Sequence, residues 1–207
     1  MNSNVKVILF DLGRVLMHID FEAFPNALGL MTNEDRSQFD QAKIQINIRE
    51  YETGRMSTDE FIDSLFEIFR RKFPKKKILD AFNMIIVSDN EEIIPLVEKM
   101  RTQYRIAVLS NTCECHWEEV MRVSSLIKFF PHLYTSFQFG VMKPDKVIYE
   151  KVCAAMNVNP NDVVFIDDLK ENVDGAIKAG MNAFQFTDVQ QLQNQISKSL
   201  IQKTDLK

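Results

Sequence analysis

The residues Val5-Lys6-Val7-Ile8-Leu9-Phe10 form an apolar run broken only by Lys6, and the run stops on a carboxylate, Asp11. A short continuous apolar stretch predicts a strand buried on both faces, as in a parallel sheet covered by helices. Asp11 then stands at the carboxyl end of that strand, where open α/β sheets bind their ligands. Gly13, two residues on, offers a backbone free to turn tightly. A strand followed by an ordinary Asx-type turn accounts for these residues too, so the rest of the chain has to decide.

Further strands are expected at 105–109, 131–135, 163–166 and 183–186, alternating with helical patterns at 91–101, 117–127, 147–156 and 172–179. Val189, Leu192, Ile196 and Leu200 then share one helical face. Strand–helix alternation of this kind predicts an α/β fold with a doubly wound parallel sheet. Residues 15–21 alternate, with Val15, Met17, Ile19 and Phe21 on one side and Leu16, His18 and Asp20 on the other, which suggests an extended flap. From Phe21 the pattern turns helical. A helix start at Thr32 leads through Phe39, Ala42, Lys43 and Ile46, and Gly54 marks a break. Ser57 with Glu60 fits a capping box, opening a helix whose apolar face is Phe61, Leu65, Ile68 and Phe69. Pro74 ends it, and 75–87 reads as another helix. The expected organisation is an α/β core of residues 1–18 and 89–207, with a small inserted helical cap domain at 19–88.

The 207 residues suit one domain with a small insert, and 45% hydrophobic against 26% charged residues is ordinary globular composition. A net charge of −4 supplies no basic field and argues against a dedicated nucleic-acid binder. Three cysteines (Cys113, Cys115 and Cys153) cannot form a disulfide framework and point to a reducing, cytoplasmic setting. The first residues show no secretory leader pattern, and no apolar run is long enough to span a bilayer.

Three strand ends carry polar groups: Asp11, Ser110-Asn111 and Asp167-Asp168. In a parallel sheet these ends converge on one edge. Three carboxylates gathered there repel unless a hard, oxygen-preferring cation such as Mg²⁺ neutralises them. Ser110 and Asn111, between a strand end and a helix start, can hold an anion through a hydroxyl, an amide and backbone N–H groups. Lys143 adds a compact positive charge from a loop. Such a set suits a phosphoryl group, with Asp11 as nucleophile forming an aspartyl-phosphate that water cleaves.

Asp11-Leu12-Gly13-Arg14-Val15, Ser110-Asn111-Thr112, Lys143-Pro144 and Ile166-Asp167-Asp168-Leu169-Lys170-Glu171-Asn172 resemble, in order, the four motifs of the haloacid dehalogenase (HAD) superfamily of phosphohydrolases. The resemblance covers the whole chain, and the helical insert looks like that family's C1 cap. It implies that Asp11 is nucleophile and metal ligand, that the Gly13 carbonyl is a backbone metal ligand, and that Ser110 and Lys143 bind phosphate with Asn111 beside them. It further implies Asp168 as the second Mg²⁺ carboxylate, Asp167 in support, and Asn172 orienting Lys143 or the metal shell. Most HAD phosphatases carry a second Asp, the proton donor, where this chain has Gly13. Asp-Leu-Gly-x-Val is similar to a subgroup that includes a glucose-1-phosphate phosphatase, which implies a sugar 1-phosphate substrate. An anomeric oxygen leaves more readily than an ordinary alcohol.

The reaction expected is therefore Mg²⁺-dependent hydrolysis of a small phosphorylated metabolite, by a monomer or homodimer with no nucleic-acid or membrane partner. A 2-haloacid dehalogenase would share the fold and the nucleophile, and a phospho-ligand sensor would share the binding groups without turnover. His18, with Asp20, is a candidate substitute for the missing acid. Arg14 and Arg55 are candidate contacts for a phosphosugar. Cys113-Glu114-Cys115-His116 invites a metal, yet lacks the second pair of a structural zinc site. The basic run at 70–77 fits solvated helix ends and a proline loop.

Overall fold

The computed structural model describes residues 5–200. Strand β1 (Val7–Phe10) leads into β2 (Met17–Ile19), and five helices follow: α1 (Ala23–Ala27), α2 (Asn33–Ser37), α3 (Gln41–Glu52), α4 (Thr58–Ile68) and α5 (Lys75–Asn83). The chain continues through β3 (Ile86–Asp89), α6 (Ile94–Arg101), β4 (Arg105–Ser110), α7 (Glu114–Val123), β5 (His132–Thr135), α8 (Ser136–Phe139) and α9 (Lys146–Met156). It ends on β6 (Val163–Asp167), α10 (Lys170–Lys178), β7 (Asn182–Gln185) and α11 (Val189–Leu200).

The main sheet is parallel, in the order β5-β4-β1-β6-β7. β1 is central because its side chains are apolar on both faces. Ile8 and Phe10 join the cluster built with Leu96, Val97 and Met100 of α6 and Leu192 and Ile196 of α11. Val7 and Leu9 enter the opposite layer, with Ile148, Tyr149 and Val152 of α9 and Ala176 of α10. All four are fully buried, each contributing about 1.5–3 kcal/mol of transfer free energy. Lys6 lies outside this sandwich, its Nζ 2.9 Å from Asp162 Oδ2. Leu192 and Ile196 face the core as their spacing requires, whereas the side chain of Leu200 lies outside the described residues.

Helices α1–α5 sit between β2 and β3, which pair antiparallel as a two-stranded ribbon. They pack around their own apolar cluster, including Phe24, Phe61, Leu65, Phe69 and Phe82, and Cys113 and Cys115 at the start of α7 join it. The Ser57–Glu60 capping box forms as expected. Two expectations fail locally. The helix read over 75–87 stops at Asn83, because Ile86–Asp89 pairs with β2 instead of continuing the turn. β-branched residues at 86 and 87 favour that outcome. The helix begun at Thr32 ends after five residues, and Asp40, accepting from Lys43 N, caps α3 anew. Among the described residues no helix is long and apolar enough to cross a membrane.

Candidate active site

Because β1 lies between β4 and β6, the three polar strand ends are neighbours. Asp11 N donates to Ile166 O at 2.8 Å, which holds the Asp11 backbone against the end of β6. Lys143 reaches into this edge from the loop before α9. Its Nζ donates to Asp11 Oδ1 at 2.5 Å and to Asp167 Oδ2 at 2.7 Å. Asp167, fully buried, also accepts from Asn172 Nδ2 at 3.0 and 3.1 Å and from Leu169 N at 2.9 Å. Its carboxylate is thus engaged by protein donors. Asp168, the next residue, is half-buried, and among the described residues its carboxylate pairs only with Arg14, whose Nη1 lies 3.8 Å from Oδ2.

The Lys143 backbone is clamped by Asn111, whose Nδ2 donates to Lys143 O and whose Oδ1 accepts from Lys143 N, both at 2.9 Å. Asn111, expected beside the phosphate, therefore spends its amide on positioning Lys143. Ser110 lies at the end of β4 and lines the cleft with Thr112, whose N–H is accepted by Ser136 Oγ at 3.0 Å. Neither Ser136 nor Tyr149, whose hydroxyl donates to Asn172 O at 2.7 Å, was visible as a site residue in the sequence. Ser136 opens the short helix α8 and Tyr149 lies within α9, and neither position signals a contact with the site in the sequence.

Oxygen atoms of Asp11, Asp167 and Asp168 lie within 4.8 Å of one another. Burial drives the Asp11 carboxyl up, Lys143 pulls it back, and Asp167 adds to the rise, leaving it at about 7. Burial also raises Asp168, with Asp167 adding to it. Burial pulls the Lys143 ammonium down, but Asp11 and Asp167 outweigh it, so its pKa ends above the usual lysine value. Three carboxylates against one buried ammonium make an anionic pocket that a divalent cation would relieve.

Above this edge is a cleft of about 420 Å³ that the cap roofs with Ile48, Glu52, Phe82 and Ile85. Ile19 and Phe21 of the flap face it, and the Arg14 guanidinium stacks 5.1 Å from the Phe21 ring. His18 is exposed on the opposite face of β2 and does not line the cleft, and Asp20 caps the turn before α1 by accepting from Glu22 N. The substitute acid expected at His18 is therefore misplaced by the strand's alternation. Arg55 is paired with Glu50 and lies outside the cleft. Gly13 lines the cleft, but the left-handed residue in this turn is Arg14 (φ 59°), so Gly13 is not needed for its φ. A Cβ on Gly13 would come 3.3 Å from Ile19 Cγ1, a tight fit.

Cys113, Cys115 and His116 also cluster, and all three are buried. His116 Nε2 lies 2.9 Å from Phe82 O, its ring stacks on Phe82, and burial lowers its pKa to about 4. Cys113 and Cys115 pack the start of α7 against the cap. Each has an apolar packing role between the two layers.

A parallel α/β sheet with carboxylates at its central strand ends, a buried lysine between them and a helical roof is an arrangement suited to a hydrolase. The family model for haloacid dehalogenase-like hydrolases matches residues 5–180, and the chain belongs to that family. D-ribitol-5-phosphate phosphatase of Bacteroides thetaiotaomicron is 29% identical over 195 residues, covering 87% of this chain and 91% of the relative. (S)-2-haloacid dehalogenase 4A of Burkholderia cepacia is 27% identical over 129 residues, 60% of this chain and 55% of that one. A HAD family enzyme from Bacteroides thetaiotaomicron, solved in complex with magnesium and inorganic phosphate, superposes with a TM-score of 0.78 at 25% identity, covering 91% of this chain and 98% of that chain.

Proposed function

We propose that this hydrolase is a Mg²⁺-dependent phosphatase acting on a small phosphorylated metabolite through an aspartyl-phosphate on Asp11. The observation that carries the reading is the Lys143 ammonium held between Asp11 and Asp167, with Asp168 left without a buried cation. The donor set is all carboxylate oxygen, which suits a hard divalent cation. Asp11 and Asp168 would hold Mg²⁺ with the Gly13 carbonyl, while Asp167 and Asn172 keep Lys143 oriented. When bound, the ion supplies positive charge that lets a carboxylate approach an anionic phosphoryl group. Lys143 and Ser110 bind phosphoryl oxygens, Asn111 fixes Lys143, and Arg14 at the cleft mouth contacts the organic part. An Asp11 oxygen attacks phosphorus, the ester oxygen leaves, and water then hydrolyses the acyl phosphate to regenerate Asp11.

The ribitol phosphatase relative supports a polyol or sugar phosphate, and the Asp-Leu-Gly-x-Val resemblance extends the candidates to sugar 1-phosphates. The cap, residues 19–88, selects among them. The reading puts the enzyme in the cytoplasm, where three unpaired cysteines stay reduced, as a monomer or homodimer. The test is Mg²⁺-dependent phosphate release across a panel that includes D-ribitol 5-phosphate and glucose 1-phosphate, with Asp11→Asn as control. Loss of release in the control is expected, and a control as active as the native chain defeats the mechanism. The dehalogenase relative sustains a second reading. Halide release from 2-haloacids in EDTA would establish it in place of the first.

A further inference from the structure

Gly13 leaves the site without the second motif carboxyl, and His18 faces away, so neither the first motif nor the flap supplies the proton for the leaving oxygen. The cap side carries a candidate. Glu52, the last residue of α3, lines the same cleft as Asp11, Ser110 and Lys143. Among the described residues its carboxyl makes no hydrogen bond or ion pair. Its neighbours fix it in place. The Tyr51 hydroxyl accepts from Cys115 N at 3.0 Å, tying the end of α3 to the start of α7. Gly54, at φ +67°, packs so closely on α8 that a Cβ would lie 2.3 Å from Phe137 O. Glu52 therefore belongs to a stretch pinned to the core on both sides, not to a free edge of the cap.

We propose that Glu52 is the proton donor to the leaving oxygen in the phosphatase reaction inferred above, and so the functional replacement for the carboxyl absent at Gly13. The proposal rests on that reading and deepens it. As the Asp11–phosphorus bond forms and the ester P–O bond breaks, the Glu52 O–H gives its proton to the departing alkoxide, which leaves as a neutral alcohol. Glu52 is then a carboxylate. Water then cleaves the aspartyl-phosphate, restoring the Asp11 carboxylate and releasing inorganic phosphate and one proton to solvent, from which Glu52 regains its acid form.

The surroundings favour the protonated form. Burial pushes the Glu52 carboxyl up to about 7. Its place at the carboxyl end of α3 sets it against the negative pole of the helix. The charged and titratable groups around its cleft and the adjoining groove are Arg49 on its own helix, Asp11 and Arg14 after β1, Cys113 and His116 at α7, Lys143 and Asp145 in the loop before α9, Asp168 after β6 and Glu171 on α10. Lys143 is taken by Asp11 and Asp167, and Arg49 has no bond to it. With a donor in place, the enzyme does not depend on a good leaving group. The substrate class it fits is the phosphate ester of an ordinary alcohol, such as the terminal phosphate of a polyol.

The test compares native and Glu52→Gln full-length protein, with Mg²⁺, on D-ribitol 5-phosphate and on p-nitrophenyl phosphate, whose leaving group departs without protonation. For the variant, kcat on the polyol phosphate should fall about 10²-fold or more, the usual range for losing a general acid. Hydrolysis of p-nitrophenyl phosphate should change by less than about threefold, which also shows that the variant folds. The native kcat on the polyol phosphate should fall as pH rises through about 7, where Glu52 loses its proton, and the variant should lose that limb. Glu52→Asp should recover part of the lost kcat. Equal loss on both esters, no loss on either, or a rise in KM alone overturns the proposal and leaves the phosphatase reading standing. A native protein that releases phosphate from neither ester brings down both.

Discussion

With its ammonium 2.5 Å from Asp11 and 2.7 Å from Asp167, Lys143 is a buried cation whose removal would set two carboxylates against each other with no counter-charge. Breaking a buried pair by deleting one partner typically costs about 3–5 kcal/mol, because the charge left behind stays desolvated. Lys143→Met should therefore lower unfolding stability by about that amount in urea titrations at neutral pH, as well as abolish phosphate release. Added Mg²⁺ should restore part of the stability and none of the turnover. Nearby, the two hydrogen bonds between the Asn111 amide and the Lys143 backbone show a polar residue of the cleft spent on geometry. Ser110 and Asp167 end strands and Asn111 and Asp168 come next in the chain, so their place at the sheet edge was legible in the sequence, whereas Lys143, on a loop, carried no such positional signal. Asn111's actual task carried none either, since it depends on a loop that arrives from far along the chain.

Strand β1 and helix α3 show two different ways in which elements carry function. β1 offers one carboxylate at its end and is held by burial on both faces, so its position is set by the main core. α3 contributes Glu52 from the roof, and its end is held by the Tyr51–Cys115 hydrogen bond and by the Gly54 turn against Phe137. Gly54→Ala would add strain at φ +67° and a Cβ 2.3 Å from a backbone oxygen. Left-handed strain costs about 1–2 kcal/mol, and the contact adds to it. The expected outcome is a melting temperature lower by several degrees and a drop in kcat on polyol phosphates larger than that on p-nitrophenyl phosphate, as the roof shifts away from the core. Differential scanning calorimetry and paired kinetics check both halves. A similar close approach occurs below the site, where a Cβ on Gly175 of α10 would lie 2.6 Å from Pro144 O. That contact lets α10 pack under the loop that carries Lys143.

Across the whole molecule, the α/β core and the helical roof meet at an anionic cleft, so ligand binding should report on global stability. A cation that binds the folded chain alone stabilises it by about 2.7 kcal/mol at a hundredfold excess over its dissociation constant. For a chain of this size each kcal/mol is worth about 2–4 °C. Millimolar Mg²⁺ should raise the melting temperature by several degrees over EDTA, and Asp168→Asn should remove that shift while leaving the EDTA value nearly unchanged. A shift that persists in Asp168→Asn would place the cation elsewhere.

The five strands of the parallel sheet, their apolar faces and the polar residues at three of their ends were legible in the sequence, because burial on two faces needs an unbroken apolar run and a turn needs polar residues next to it. The sequence also placed the helical insert between the flap and the second half of the core. It misjudged Ile86 and Val87, whose strand pairing with β2 comes from a partner distant in sequence rather than from local periodicity. It looked for the missing acid near Asp11 in the chain, at His18, where alternation along a strand turns the side chain outward. Only the folded molecule brought Glu52 into the cleft. A helix end can face any direction until packing on α7 and α8 fixes it, and no local pattern records that packing.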